Sequence, residues 1–423
     1  MKIRPVQVAV LAVLALLTSL LLAACDTSVE TPVAATPAAI NVTPTVTIAP
    51  TKVTSVGPNL ASDIRVGLMG PFTGPNGSFG LAIKRGAQMA VDDFNKEGGV
   101  NGRRIALIER DDKASVNDGI TNVKDLLDKE KVLAVFGTAN NQVGLAQAPI
   151  VQKSKVPWII PVASGTKITQ EPGSPNYIFR VAMVDHYQSQ FIAGYASAQY
   201  KNIAIIYEDS PSGLLGRDDL TEQFKEANVT PVMVDSYKVT ATMDDLKPLI
   251  TKLKAAEPDV IINWGSGSIA GNLKRAMKDL NLDWPMVGPW MLSQPEFHNV
   301  ANGLETGTYV VQAFTADTSV PWQVEFINRY KQQFKTDQLD FPGGVAQAYD
   351  AMRLLCLALK QPGAAEDREK LRLALENIGP YEGLIKNYDK PFSNPLHEAF
   401  TEKDYFFAVW RDGKLFRVNN PGK

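Results

Sequence analysis

Short strand-like runs alternate with helix-like ones from Asp63 onward, and this alternation narrows the folds open to the chain more than any other feature. Ile64-Arg-Val-Gly-Leu-Met69 reads as a strand, broken by Gly70-Pro-Phe-Thr-Gly-Pro-Asn-Gly77. Ile83, Ala87, Ala90, Val91 and Phe94 then recur at helical spacing, and Gly98-Gly99 supplies a C-terminal stop. Further strands are expected at Arg104–Glu109, Val132–Phe136, Trp158–Pro161, Ile203–Tyr207, Pro231–Tyr237, Val260–Trp264 and Met286–Gly288. Helices are expected between them: Val116–Lys129, Val143–Lys153, Tyr187–Tyr200, Gly216–Ala227, Leu246–Ala256 and Ile269–Leu280. Strand–helix repetition of this kind implies parallel sheets covered by helices on both faces. Some 360 residues are too many for one such sheet, so two α/β lobes fit the length better.

The residues before Asp63 follow other rules. Lys2 and Arg4 precede an uncharged apolar run from Val6 to Ala24, which ends in Leu22-Ala-Ala-Cys25. The run alone could span a bilayer, but its ending resembles the lipobox of bacterial lipoproteins. Residues 1–24 are therefore expected to be a lipoprotein signal peptide, with Cys25 the lipid-modified N-terminus and the rest of the chain outside the cytoplasm. Residues 25–60 consist mostly of Thr, Pro, Ala and Val, with no aromatic. Such a stretch buries too little surface to offset its ordering entropy, and it reads as a disordered tether. With Cys25 acylated, the second cysteine, Cys356, has no intramolecular partner. It lies in an apolar helical stretch (348–359) and is expected to be a small buried hydrophobe.

Charge excludes one class of partner. A formal net charge of -2, with no local run of Lys or Arg, offers nothing to a nucleic-acid backbone. Catalytic constellations are also lacking. His186, His298 and His397 are far apart and have no metal-ligand spacing. No Gly-x-Ser-x-Gly elbow occurs, and Gly265-Ser-Gly-Ser268 lacks the Lys-Ser/Thr of a phosphate loop. The expectation is a binding protein without catalysis, metal or cofactor.

The order of several loop motifs resembles one family. Gly70-Pro-Phe-Thr-Gly74, Gly80, Gly86 and Gly98-Gly-Val-Asn-Gly-Arg-Arg104 are similar to the opening of the leucine/isoleucine/valine-type periplasmic binding proteins. Asp111-Asp112, Gly137-Thr138, Pro161-Val-Ala-Ser164, Tyr177-Ile-Phe-Arg180, Asp185, Gln188, Ile203–Tyr207 and Gly288-Pro289 follow in the same order. The resemblance implies a two-lobed type I periplasmic-binding-protein fold, each lobe a parallel sheet flanked by helices, joined by three hinge crossovers. Lobe 1 would comprise 61–181 and 313–402; lobe 2 would comprise 182–312 and a C-terminal strand and tail at 403–423. It further implies a monomer that captures a small amino acid or amino-acid-like ligand for an ABC permease and its ATPase. Other readings are an aromatic acid, other carboxylate or amide as ligand, or a sensing module of the same fold. A sensor would need a transmembrane output domain, and no apolar stretch of spanning length follows residue 25.

Candidate ligand contacts follow from the resemblance and from the loops after parallel strands. In lobe 1 they are Phe79 as an aromatic over the ligand, Asn140, Asn141 as a donor to a ligand carboxylate, the backbone of Ala163, the hydroxyl of Ser164, and Thr166. In lobe 2, Ser212, Trp264 and Ser266 stand beside the cleft, and Trp290 occupies the place where the amino-acid binders carry a carboxylate for the ligand ammonium. An α-amino acid would then need another acid, Asp209 or Asp185, although Asp185 could equally cap a helix. Trp264 could equally be core, and two cleft tryptophans would suit a flat ligand or a cation over an indole.

Overall fold

The computed structural model describes residues 63–419 apart from 75, 171 and 172; Cys25, the signal peptide and the tether lie outside them. The first sheet contains β1 (Ile64–Gly70), β2 (Ile105–Asp111), β3 (Ala134–Phe136), β4 (Trp158–Ile160) and β5 (Ile178–Arg180). Its order is β2-β1-β3-β4-β5, with every neighbouring pair parallel. Helices α1 (Gly77–Lys96), α2 (Val116–Asp128), α3 (Asn141–Ser154) and α4 (Lys167–Gln170) connect these strands. Parallel strands covered on both faces should be apolar throughout, and β3, β4 and β5 are buried along their whole length. The edge strand β2, by contrast, turns Glu109 and Arg110 outward to ion pairs with Lys84 and Asp125.

Next come α5 (Asp185–Gln199), β6 (Ile203–Asp209), α6 (Pro211–Glu226), β7 (Met233–Lys238), α7 (Met243–Ala256), β8 (Val260–Trp264), α8 (Gly267–Asp279), β9 (Met286–Gly288), α9 (Pro295–Ala301) and β10 (Tyr309–Gln312). The chain continues through α10 (Pro321–Phe334), α11 (Pro342–Leu359), α12 (Arg368–Glu376) and the small hairpin β11 (Tyr381–Glu382)–β12 (Asn387–Tyr388). It ends in β13 (Phe406–Arg411) and β14 (Lys414–Val418). The second sheet runs β14-β13-β10-β9-β8-β6-β7, parallel from β10 to β7 and antiparallel at β13 and β14. The sequence reading expected one C-terminal strand here. Asp412 and Gly413, at φ 49° and 69°, instead turn the chain into a hairpin.

After β10 the chain returns to the first sheet, where α11 lies along α1. Gly86 permits the close approach, since a Cβ there would sit 2.6 Å from the Val345 carbonyl oxygen. Apolar almost all round, α11 is buried almost all round, and Cys356 is a free thiol inside it. Burial pushes that thiol up to about 12, so it stays protonated and inert. No helix among the described residues is long and apolar enough to cross a membrane.

Three connections link the regions of the two sheets: β5 to α5, β10 to α10, and the segment leading from residue 398 into β13. The first and third are tied together at Arg180. Its N–H donates to the His397 carbonyl and its own carbonyl accepts from Ala399, both at 2.9 Å. Its fully buried guanidinium donates to Glu398 (Nε to Oε2, 2.8 Å), to Thr169 at 2.8 Å and to the Gly165 carbonyl at 2.8 Å. Removing one partner of a buried pair strands the other charge, which costs about 3–5 kcal/mol. Glu398→Ala should therefore lower unfolding free energy by about that amount in urea denaturation, with Glu398→Gln losing less. A change below about 1 kcal/mol would show that water already reaches Arg180.

Candidate functional site

The loops after β3 and β4 meet at Asn141, the first residue of α3. Its carboxamide oxygen accepts from the N–H groups of Ser164 (3.0 Å) and Gly165 (2.9 Å). Its NH2 group donates to Asp185 Oδ2 at 2.9 Å. The sequence reading had Asn141 donate to a ligand carboxylate; both ends of the side chain are engaged within the protein instead. The Ala163 N–H donates to the Thr138 carbonyl at 3.1 Å. Ser164 is buried, its carbonyl accepting from Asp185 N–H at 2.8 Å. Asn141 thus sets the shape of the loop, and Arg180 holds the same loop from below through the Gly165 carbonyl.

Asp185 opens α5 without capping it, since the N-cap position is Val184. Burial pushes its carboxyl up to about 7, helped by the charge of Asp219 and opposed by hydrogen bonds from Ser164 and Asn141 and by Arg180. Gln188 donates to Asp185 Oδ1 at 3.1 Å and accepts the Trp290 N–H at 2.9 Å. A continuous hydrogen-bonded path therefore runs from the Ser164 loop through Asn141, Asp185 and Gln188 to the carboxyl end of β9 in the second sheet.

Two more polar contacts join the lobes. Thr166 Oγ1 donates to Asp219 Oδ2 at 2.7 Å while accepting from His186 N–H at 2.9 Å. Ser212 Oγ donates to Gln142 Oε1 at 3.1 Å. Thr166 thereby satisfies a first-turn N–H of α5 and grips α6 at once.

Trp290, in the tight turn after β9, is 2% exposed. Its ring lies 6.2 Å from Phe79 and 4.9 Å from Phe341, while those two meet edge-on at 5.0 Å. Phe79 reaches this position because Gly80 lets α1 start against the preceding loop; a Cβ there would lie 2.1 Å from the Pro71 carbonyl oxygen. Several side-chain atoms nearby are buried and meet no partner among the described residues: Trp290 Nε1, Gln312 Nε2, and both amide atoms of Gln347. Asn140 Oδ1 is in the same condition.

Three lobe-2 candidates lie elsewhere. Trp264, 1% exposed, is core: it packs on α6, where a Cβ at Gly216 would be 2.0 Å from its Nε1. Ser266 occupies the N-cap position of α8 without a side-chain capping hydrogen bond, and its N–H donates to Glu208 Oε2 at 3.0 Å. Asp209 is exposed at the end of β6. The residue pattern does not single out Asp219, Phe341, Gln312 or Gln347, which make or adjoin these contacts. Gln312 and Gln347 had one available signal, a lone amide inside the apolar runs Tyr309-Val-Val-Gln312 and Val345-Ala-Gln-Ala348. Among the described residues no cluster of His, Cys, Asp or Glu could hold a metal ion.

Residues 63–414 match the periplasmic binding protein family. The chain belongs to that family. It is 26% identical over 356 residues to Leu/Ile/Val-binding protein homolog 3 of Brucella melitensis, covering 84% of this chain and 93% of that one. The Leu/Ile/Val-binding protein BraC3 of Rhizobium johnstonii gives the same identity and coverage. Among solved structures, the substrate-binding protein LivJ of Streptococcus pneumoniae in complex with isoleucine superposes with a TM-score of 0.73 at 24% identity, covering 84% and 97% of the two chains. A solute-binding protein from R. palustris in complex with benzoate gives 0.74 at 19% identity, covering 84% and 95%. The fold is therefore the two-lobed type I periplasmic-binding-protein fold.

The buried acid at the head of α5 makes a pH prediction. An aspartate titrates near ~4 in an unfolded chain, and Asp185 is raised to about 7 in the fold. The folded state then binds the proton more tightly, so this group's contribution to stability falls as pH rises from about 4 to about 7 and is level above that. Asp350 is raised to about 7 by burial too, and His397 is lowered to about 4, so the parent's own profile mixes several groups. Comparison with Asp185→Asn isolates one of them. In urea unfolding, the variant's stability relative to the parent should climb through that window and then flatten. A pH-independent difference would mean that Asp185 is ionised throughout.

Proposed function

We propose that this chain is an exported substrate-binding lipoprotein of an ABC importer, anchored through Cys25 to the outer face of the cytoplasmic membrane. It captures a small organic solute between its lobes and delivers it to the permease as a monomer. In this reading lobe 1 is 61–181 and 313–402, and lobe 2 is 182–312 and 403–423. One observation carries the proposal. Asp219 and Ser212 of one lobe meet Thr166 and Gln142 of the other through individual hydrogen bonds, and Trp290 meets Phe79 and Phe341 through ring contacts. Hydrogen bonds of that size, about 0.5–1.5 kcal/mol each, suit a joint that must open and shut.

Relatives named for leucine, isoleucine and valine support a small amino acid or amino-acid-like solute. A second reading, an aromatic acid, other carboxylate or amide, is favoured by the aromatic trio Phe79–Trp290–Phe341 and by the engagement of Asn141 with the Ser164 loop. No carboxylate stands at position 290 to meet an ammonium group.

The test is thermal unfolding of the full chain in detergent, refolded from guanidinium to strip retained solute. The panel comprises amino acids, aromatic acids, amides and polyols. A solute at 100 times its Kd adds about 2.7 kcal/mol of apparent stability, so one chemical class should raise Tm by several degrees. A folded chain that responds to nothing in the panel would remove solute capture as its function.

A further inference from the structure

Three side chains beside the interlobe aromatics carry four unpartnered polar atoms. Trp290 Nε1, Gln312 Nε2, Gln347 Nε2 and Gln347 Oε1 are buried, on side chains exposed by 2% or less. The three side chains meet at Gly343, in the first turn of α11. A Cβ placed there would have as its nearest heavy atoms Gln312 Oε1 at 3.4 Å, Trp290 Cε3 at 3.8 Å and Gln347 Nε2 at 3.9 Å. None of the three residues carries a charge. The same helix begins with Phe341 at its N-cap, which gives no side-chain hydrogen bond, and Pro342 follows. The first N–H groups of a helix have no intrahelical partner, so Gly343 and Gly344 add donors at this point. Gln312 comes from the carboxyl end of β10, Trp290 from that of β9, and Gln347 from the opposite lobe, so the cluster spans the cleft.

Chains rarely retain several buried orphan donors and acceptors, because each forfeits its hydrogen bonds to water. Their pattern specifies a complement. At Gly343 the side chain of Gln312 turns its Oε1, an acceptor, and that of Gln347 its Nε2, a donor. A carboxylate would answer the donor but face Gln312 Oε1 with another acceptor. An ammonium group would answer Gln312 Oε1 but face the Gln347 NH2 group. An amide answers both: its oxygen accepts from the Gln347 NH2 group and its N–H donates to Gln312 Oε1. Phe79, Phe341 and the Trp290 ring supply flat apolar walls beside it.

We infer that the solute carries an uncharged amide-type group — a carboxamide, lactam or urea — seated on Gln347, Gln312 and Trp290 at the N-terminus of α11. This rests on the reading of the cleft as a solute-capture site and names the solute's recognised group.

The experiment titrates the refolded full chain in detergent with benzamide, acetamide, 2-pyrrolidinone and urea, and with benzoate and L-leucine, by calorimetry. At least one amide should bind ten-fold or more tightly than benzoate and L-leucine. Gln347→Leu should weaken that amide at least ten-fold while leaving the Tm of the ligand-free chain equal or higher, since it removes two orphan atoms. A merely structural Gln347 would lower that Tm instead. Gly343→Ala is the second variant: its methyl meets ordinary contact distances, so the fold accepts it, but it occupies the point of convergence and should weaken the amide similarly. Tightest binding of L-leucine or benzoate, unaffected by Gln347→Leu, would overturn the amide assignment and leave solute capture standing. Silence toward these probes and the wider panel would overturn both.

Discussion

The buried guanidinium of Arg180 organises both the scaffold and the site. It sits at the end of the last strand of the first sheet, where the chain leaves for the second. Glu398, on the segment that enters β13, neutralises it, and backbone hydrogen bonds on either side of the pair zip the two crossings together. Its remaining N–H groups hold Thr169 and the Gly165 carbonyl. A buried ion pair is seldom worth much against an apolar substitute, but it admits few geometries. Here the geometry that it fixes is the shape of the Ser164–Gly165 loop and the register of two hinge segments at once.

From that loop the organisation spreads outward by hydrogen bonds. Asn141 reads two loop N–H groups and passes the constraint to Asp185, which Gln188 connects to the backbone of Trp290. The link from Asn141 to Asp185 joins α3 to α5, and the link from Gln188 to Trp290 joins α5 to the turn after β9. Such a series is stiff when the lobes meet and costs little when they part, which is what a capture cleft requires. Apolar burial is shared as well as divided: Trp158 and its neighbours fill one side of the first sheet, Trp410 and Phe297 one side of the second, and a third cluster takes in Phe79, Phe136, Trp264 and Trp290 from the regions of both sheets.

How much of this could be read from residue order depends on how local its cause is. Most of the parallel strands are readable because their apolar runs are short and bounded, but β5 and β10 are not among the strands that the pattern predicts. Those after β10 were harder: the Asp412-Gly413 hairpin hid inside what looked like one strand, although Asp-Gly is itself a turn signal. The family resemblance, not a local pattern, is what suggests Phe79 and Trp290 as cleft residues. The partners of Asn141 and the core position of Trp264 depend on which loop lies opposite, a fact of the folded topology that no local pattern encodes. Gln312 and Gln347 show the same limit, since they become a pair only when β10 and α11 are brought to opposite sides of one cleft.

The central claim is that two lobes close on a solute, and small-angle X-ray scattering of the refolded chain tests it most directly. With the strongest-binding solute at saturation, the radius of gyration should contract from its solute-free value, and Asp219→Ala, which removes the partner of Thr166, should shift the solute-free population toward the open form. A radius unchanged by a solute that demonstrably binds would contradict closure, and with it the account of Trp290, Gln188 and Thr166 as parts of a moving joint.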